Sequence, residues 1–306
     1  MIIVAGEALI DRIAWPDGRV MDVPGGGPFN AARTMARLGA QVGFVGRLSR
    51  DAAGTRIRAV LEADGVDTRW VVTTDDPTTT AEATLDRDGA ATYRFALAGT
   101  SAVGLEIGEV LAALGSDPDA IHVGTLGLAV QPMATAIAAA VRHLARRPLL
   151  MVDPNCRPAV IGDRAAYLDR LATVIARADV AKVSVDDLAF IAPGKAPEVA
   201  ARSLIGHGPA LALLTDGPRP VRIVAADATV EIPVPAVRVV DTVGSGDAFG
   251  GAFLARFMER SGTRRGLSDA AIVHDAVERA IEVAVWTCQR SGADPPRRAD
   301  IGWSKT

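Results

Sequence analysis

Short apolar runs alternate with longer stretches of helical periodicity along most of this chain. Ile2–Ala5, Val42–Val45, Ala120–Val123, Leu149–Val152, Val180–Val183 and Ala210–Leu214 are near-continuous apolar runs of strand length. Phe29–Leu38, Gly54–Ala63, Gln131–Ala145, Ala165–Ala176 and Pro197–Ile205 carry apolar residues at helical spacing. Strands apolar on both faces, alternating with helices, predict a mostly parallel sheet covered by helices on each side, a three-layer α/β/α sandwich. Ligands of such sheets bind beyond the carboxyl ends of the strands, so functional residues are expected just after the apolar runs. Two segments break the alternation. Thr79–Leu97 reads as a hairpin whose arms, Thr80–Asp86 and Ala91–Leu97, flank the turn pair Asp88-Gly89. Asp11–Val23 is a further extended stretch with a turn at Pro16-Asp17-Gly18. On pattern alone these are either surface hairpins or a small β-lid over one end of the sheet. Without repeats, low-complexity segments or a linker, one domain over residues 1–306 is expected, with lid segments at about 11–23 and 79–97.

Composition narrows the class. With 49% hydrophobic and 23% charged residues the chain can bury a large core and is not disordered. Its 33 basic and 36 acidic residues leave a net charge of -3, which gives no case for a nucleic-acid or membrane-surface protein. The apolar stretches break well short of the roughly 18 residues a spanning helix needs. Met1-Ile2-Ile3-Val4-Ala5-Gly6-Glu7 has no basic segment ahead of its apolar run, which argues against a signal peptide. Two cysteines, Cys156 and Cys288, make neither a disulfide framework nor a four-cysteine zinc site. A reducing, cytoplasmic location is therefore expected.

The most informative stretch is Val239-Val240-Asp241-Thr242-Val243-Gly244-Ser245-Gly246-Asp247-Ala248-Phe249-Gly250-Gly251-Ala252-Phe253-Leu254. An apolar run ends at Asp241, a glycine-containing turn follows, and a helix begins. Gly244 and Gly246 permit a tight turn that presents backbone N–H groups at the positive end of the helix, an anion site. Asp247 lies in the first helical turn beside it. By spacing alone it is either an N-cap or a general base for a hydroxyl attacking phosphorus. A second run, Pro24-Gly25-Gly26-Gly27-Pro28-Phe29-Asn30, precedes an amphipathic helix ending at Gly39. Asn30 can cap that helix, yet Gly25 and Gly26 also let a ligand approach the backbone, and Asn30 offers both a donor and an acceptor. A dinucleotide fingerprint is missing: the first strand offers only Gly6 before Glu7, and no Gly-Lys-Ser/Thr phosphate loop occurs.

Asp241-Thr242-Val243-Gly244-Ser245-Gly246-Asp247 resembles the C-terminal signature of the ribokinase-like (PfkB) carbohydrate kinases, and the run around Gly25, Gly26 and Asn30 resembles their N-terminal one. Val243 and Ser245 stand where the family commonly has Thr and often Ala. The resemblance extends in order from Val4 to about Pro295. It implies ATP-dependent transfer of a phosphoryl group to a sugar hydroxyl. Asp247 would act as base, Gly244, Ser245 and Gly246 would supply the anion hole, and Asp11, Gly25, Gly26 and Asn30 would grip the sugar. Asp153-Pro154-Asn155-Cys156-Arg157-Pro158 is by itself good turn chemistry. It is also similar to a run of the fructokinase-like and 2-keto-3-deoxygluconate kinase-like members, which brings Arg157 to the substrate.

Lys182-Val183-Ser184-Val185-Asp186-Asp187 occupies the place of the family's Lys-x-Asn-x-x-Glu. The resemblance implies Lys182 and Ser184 near the nucleotide phosphates and Asp187 acting on Mg²⁺ through water, with Ser for Asn and Asp for Glu. Thr215-Asp216-Gly217-Pro218-Arg219-Pro220 is similar to the nucleotide loop, placing Thr215 and Gly217 at the phosphates, with Pro220 where the family has Gly. Asp241, Val243 and the loop at Gly292 correspond to a monovalent-cation site, K⁺ in kind. A hexose or ketose such as fructose is the first substrate expected, because Gly6-Glu7-Ala8-Leu9-Ile10-Asp11 points to the same subgroup. His122-Val123-Gly124-Thr125-Leu126 is also unlike the Glu-bearing segment of ribokinases. A keto-deoxy sugar acid, paired by Arg94 and Arg157, is second; a ribokinase or nucleoside kinase is the remaining enzyme reading. Lids of this family often pair between subunits, which implies a homodimer. The altered Ser184, Asp187 and Pro220 keep open a sugar-sensing protein without catalysis.

Overall fold

The structure is a computed structural model that describes residues 1–14, 17–85, 91–144 and 148–303. The strands are β1 (Ile2–Ala5), β2 (Leu9–Ala14), β3 (Val20–Gly25), β4 (Val42–Ser49), β5 (Val71–Thr74), β6 (Thr80–Leu85), β7 (Ala91–Ala96), β8 (Ala120–Gly124), β9 (Leu149–Asp153), β10 (Val180–Ser184), β11 (Leu211–Thr215), β12 (Val221–Val224) and β13 (Thr229–Ile232). The helices are α1 (Gly27–Arg37), α2 (Ala52–Ala63), α3 (Ile107–Leu114), α4 (Leu126–Ala129), α5 (Met133–Arg142), α6 (Arg164–Ile175), α7 (Val185–Ile191), α8 (Pro197–Ile205), α9 (Ser245–Ser261) and α10 (Ala270–Cys288).

Nine strands form the large sheet in the order β13-β12-β11-β10-β9-β8-β1-β4-β5. All neighbours from β11 to β5 are parallel, and β12 and β13 add an antiparallel edge. Successive side chains of a strand face opposite layers. Val4, Ala120 and Met151 accordingly pack with Phe29, Phe253 and Phe257 of α1 and α9. Ile3, Ile121 and Leu150 pack with Val110, Ile137 and Tyr167 of α3, α5 and α6. Each buried phenylalanine contributes roughly 2–3 kcal/mol of apolar transfer. Gly251 lets α9 lie close on α1, since a Cβ there would sit 2.8 Å from the Ala31 carbonyl oxygen. That contact brings the first turns of the two helices together.

A four-stranded sheet, β3-β2-β6-β7, stands apart from the large one. The extended stretches therefore belong to a separate small sheet, although Pro16 and the turn pair Asp88-Gly89 lie outside the described residues. The two hairpins join through β2 and β6, which run parallel. The cause is topological: β2 follows β1 and β6 follows β5, and both predecessors point the same way in the large sheet. Helix α5 spans less than the predicted Gln131–Ala145, and Ala145 is again outside the described residues. Among the described residues no helix is long and apolar enough to cross a membrane.

Candidate active site

The groups singled out by the two glycine runs converge where β8, β9 and β10 end and α1 and α9 begin. Helix α9 starts without a side-chain cap, because its N-cap is Gly244, which has no side chain and is left-handed (φ 74). A side chain at Gly244 would also strike Ala293. The Ser245 N–H turns back onto the Thr242 carbonyl at 3.2 Å, and its hydroxyl donates to the same oxygen at 2.8 Å. Ser245 thus departs from the expected anion hole, its N–H being consumed by the turn that Gly244 makes. Asp247 accepts a hydrogen bond from Asn30 Nδ2 at 2.9 Å and one from Asn155 Nδ2 at 3.3 Å. It caps no N–H of its own helix among the described residues, unlike Asp51, Asp163 and Asp269 at the starts of α2, α6 and α10.

Asn30 is 5% exposed, and its Oδ1 is buried with no protein partner. An unmet buried acceptor costs about 1–3 kcal/mol, which a hydroxyl donor from a ligand would recover. The Asp11 carboxylate lies over Gly25, where any side chain would collide with it. Burial foremost and then the charge of Asp247 push the Asp11 carboxyl up to about 6, while Arg157 pulls it back. Arg157 itself is exposed and donates to the Asn155 and Cys156 carbonyls at 3.3 Å each. Gly26 adopts φ 110, a conformation that favours glycine, and a Cβ there would lie 3.0 Å from the Glu7 carbonyl oxygen. Gly27, the third glycine, leaves room for Thr125 and for Asp247, whose Oδ1 would be 3.3 Å from a Cβ.

Glu7 is fully buried, and its two oxygens accept from Gly27 N at 3.2 Å and Gly127 N at 3.1 Å. It thereby fixes the starts of α1 and α4 against the end of β1. Burial raises its carboxyl to about 8 against those hydrogen bonds, with the Asp247 charge adding to the rise.

Beneath the α9 turn lies a buried polar layer. Lys182 Nζ meets Asp153 Oδ2 at 3.0 Å, with side chains 4% and 3% exposed. A Cβ on Gly246 would be 3.1 Å from that ammonium, so positive charge underlies the turn. Burial raises the Asp153 carboxyl to about 7, opposed by Lys182, while Asp153 and the neighbouring carboxylates hold the Lys182 pKa up despite its burial. His122 shares this face of the sheet; burial foremost, with Lys182 adding, lowers its pKa to about 4.

Ser184 caps α7, accepting from Asp187 N at 3.0 Å. Asp187 Oδ2 receives the Ser184 N–H at 2.8 Å and hydroxyl at 2.7 Å, and Oδ1 receives Cys156 N at 2.6 Å. Both oxygens are thus turned into the fold, against the expected approach to a metal-bound water. An Asp one methylene shorter than Glu closes this capping box instead. Among the described residues no cluster of three or more His, Cys, Asp or Glu could hold a metal. Thr215 ends β11, and Gly217 (φ 54) is exposed with nothing near its Cβ position.

Asp241 brackets two distant loops, accepting from Val243 N at 3.0 Å and Gly292 N at 2.8 Å. Sequence reasoning did not anticipate the support behind them. Asp64, at the end of α2, binds Arg33 at 2.7 Å, Arg37 at 2.8 Å and Arg297 at 3.1 Å. Arg33 also donates to the Ala293 carbonyl at 3.1 Å, and Arg37 to that of Pro295 at 2.6 Å. Chemically, the site offers a half-buried carboxylate beside a helix N-terminus, positive charge below it and free hydrogen-bonding groups facing it. That set suits proton removal from an alcohol next to an anionic group.

Comparisons with known proteins agree with one another. The sequence pattern of the family described as pfkB family carbohydrate kinase matches residues 1–300. A fructokinase of Rhizobium leguminosarum bv. trifolii is 31% identical over 259 residues, covering 83% of this chain and 79% of its own. A fructokinase of Klebsiella pneumoniae is 31% identical over 260 residues, with 82% of each chain covered. The crystal structure of a fructokinase from Xylella fastidiosa with bound ATP superimposes with a TM-score of 0.90 at 26% identity, covering 98% of this chain and 97% of that one.

Proposed function

This chain belongs to the pfkB family of carbohydrate kinases, and on that premise we propose that it transfers the γ-phosphoryl group of ATP to a hydroxyl of a ketohexose, fructose first. The observation that carries the reading is the Asp247 carboxylate, held by Asn30 beside the α9 turn and facing the glycine run that begins at Gly25. The identity to fructokinases on most of the chain and the likeness to an ATP-bound fructokinase support the substrate and the donor.

In this reading the sugar lies against Asp11, Gly25, Gly26 and Asn30, with Arg157 at the rim. Asn30 Oδ1 takes a hydroxyl proton donor, and Asp247 removes the proton of the attacking hydroxyl. The N–H groups of Gly244, Gly246 and Asp247, with Lys182 beneath, receive the transferring phosphoryl group. Thr215 at the end of β11 and Gly217 just beyond it face the nucleotide, whereas the Ser184 hydroxyl is engaged in the α7 capping box. The small sheet closes over the sugar and excludes water, the competing acceptor. A monovalent cation would be held by the Val243 carbonyl, the Gly292 turn and the remaining lone pairs of Asp241, each oxygen of which accepts one N–H, and when bound would supply positive charge behind the anion hole. Magnesium accompanies the nucleotide in kinase chemistry, but Asp187, with both oxygens committed inside the fold, does not fit the part of holding it.

The deciding experiment measures ATP consumption with fructose, ribose, 2-keto-3-deoxygluconate and adenosine. Fructose is expected to give the highest kcat/KM. A flat panel alongside tight sugar binding would overturn catalysis in favour of a sensor.

Asp11 supplies a pH signature. Its ionised form accepts hydrogen bonds more strongly than the protonated one and gives up no lone pair to a proton, so fructose affinity should rise as pH passes upward through about 6. For folding the sign is opposite. The folded state keeps a proton that the unfolded chain has already released, so Asp11 lowers stability as pH rises from its ordinary value of 3.8 to about 6. Calorimetric titration between pH 5 and 7.5 tests the affinity; an Asp11→Asn variant should lose the dependence, and a slope kept in that variant would refute the assignment.

A further inference from the structure

Among the described residues three non-glycine positions have positive φ: Asp117, Thr125 (φ 53) and Asn155 (φ 41). Two of them sit side by side at the end of neighbouring strands. Thr125 follows β8, Asn155 lies just past β9, and the loops are locked together by Thr125 N donating to the Asp153 carbonyl at 3.1 Å. A β-branched residue in that conformation is strained, and such strain persists only where the surroundings enforce it. What the strained pair achieves is visible in one amide group. Asn155 Nδ2 lies 3.3 Å from Asp247 Oδ1 and 3.4 Å from Thr125 Oγ1, so its two N–H bonds reach both. Asn30 Nδ2 holds the other oxygen of Asp247 from the opposite helix. The carboxylate is thus gripped by two carboxamides that can only donate to it, and its remaining lone pairs are left for a ligand.

We propose that Asn155, seated by Thr125, is a positioning residue that holds Oδ1 of Asp247 while Asn30 holds Oδ2, and so keeps the carboxylate aimed at the substrate hydroxyl. The proposal rests on the reading of Asp247 as the base. The need for such a donor follows from the company Asp247 keeps. Glu7 beyond β1, Asp11 on β2 and Asp153 on β9 are carboxyl groups that feel the Asp247 charge, as does Lys182 on β10, while Arg157 at the rim acts on Asp11. Like charges around a carboxylate turn it away from them, so its aim depends on directional donors, and Asn155 is one of the two that hold it.

Two variants separate the amide from the backbone. Asn155→Gly keeps the left-handed backbone without steric cost and deletes the donor. Asn155→Asp keeps shape and backbone preference but faces Asp247 with a second negative charge. Both are expected to melt close to the wild type. With ATP and the sugar that the panel identifies, Asn155→Gly should lose about 10- to 100-fold in kcat, the scale of a hydrogen bond to a charged group, with sugar KM changed less than about threefold. Asn155→Asp should move the acid limb of the kcat/KM profile about one unit or more to higher pH. Wild-type kcat in Asn155→Gly, or a kcat loss there with an unshifted profile in Asn155→Asp, overturns the proposal. Asp247→Asn, assayed in parallel, keeps the two readings apart. Full activity in that variant defeats the base assignment itself, whereas a dead Asp247→Asn beside two wild-type-like Asn155 variants defeats only the inference drawn here.

Discussion

Replacing Asp247 by Asn is expected to leave the fold and sugar affinity nearly intact while lowering turnover by about 10²- to 10⁴-fold, the range for a positioned base. The substitution is nearly isosteric at a site that is half-buried rather than core. An amide cannot take the proton of an attacking hydroxyl. Its NH₂ group also meets the donor of either Asn30 or Asn155, which now sit 2.9 and 3.3 Å from the two carboxylate oxygens. One of those bonds is lost, so the side chain rotates locally, yet neither partner is in the apolar core. The check is kcat at saturating ATP and sugar, with sugar binding by calorimetry and folding by circular dichroism. Turnover within about threefold of the wild type would remove Asp247 from the chemistry.

Asp64→Ala should produce the largest loss of stability. The Asp64 side chain is 3% exposed and faces Arg33 and Arg37, themselves 9% and 13% exposed. Guanidinium groups do not give up their protons, so deleting the carboxylate leaves two largely buried positive charges without their main counter-ion. Breaking a buried pair in this way costs about 3–5 kcal/mol, which for a chain of this size lowers Tm by on the order of 10 °C. The damage should also reach the site. Arg33 and Arg37 secure the Ala293 and Pro295 carbonyls, and the neighbouring Gly292 N–H is the group that Asp241 holds. A reduced kcat well below the melting temperature is therefore expected, beyond the loss of folded protein. Thermal denaturation of both proteins, with kcat at 20 °C or so, tests this; a Tm within about 2 °C of the wild type contradicts it.

The large sheet was legible because its inner strands are buried on both faces, and only continuous apolar runs satisfy that. Ile2–Ala5 and Leu149–Asp153 are examples in which every residue is buried. The antiparallel strands β12 and β13 escaped the pattern because each is only four residues long and interrupted by a charged residue, Arg222 in the mostly buried β12 and Glu231 in the exposed β13. In the site, Asp247 and Asn30 announced themselves through adjacent glycines. Glu7, Asp64 and Asn155 did not. Their roles arise from partners 20 to 233 positions away, and nothing local distinguishes a carboxylate that will be buried from one that will be solvated. Asn155 in particular sits in Asp-Pro-Asn, where turn chemistry is a sufficient explanation until the fold sets it beside Asp247. The one visible hint was Gly27, a third glycine beyond what a helix start requires, which the structure explains by Thr125 packed against it.

The hydrogen bond between Asn30 and Asp247 spans 217 positions, and the bracket from Asp241 to Gly292 adds another 51. A ribosome making this chain therefore releases the sugar-facing half of the pocket long before the acid that would use it. On the reading of Asp247 as the base, a chain cut before residue 247 is expected to show no phosphate transfer, and one cut just before residue 292 leaves Asp241 without its tether. Sugar-facing groups and base thus come from opposite ends of the sequence, and a fragment that carries only one of them is expected to leave nucleotide unspent.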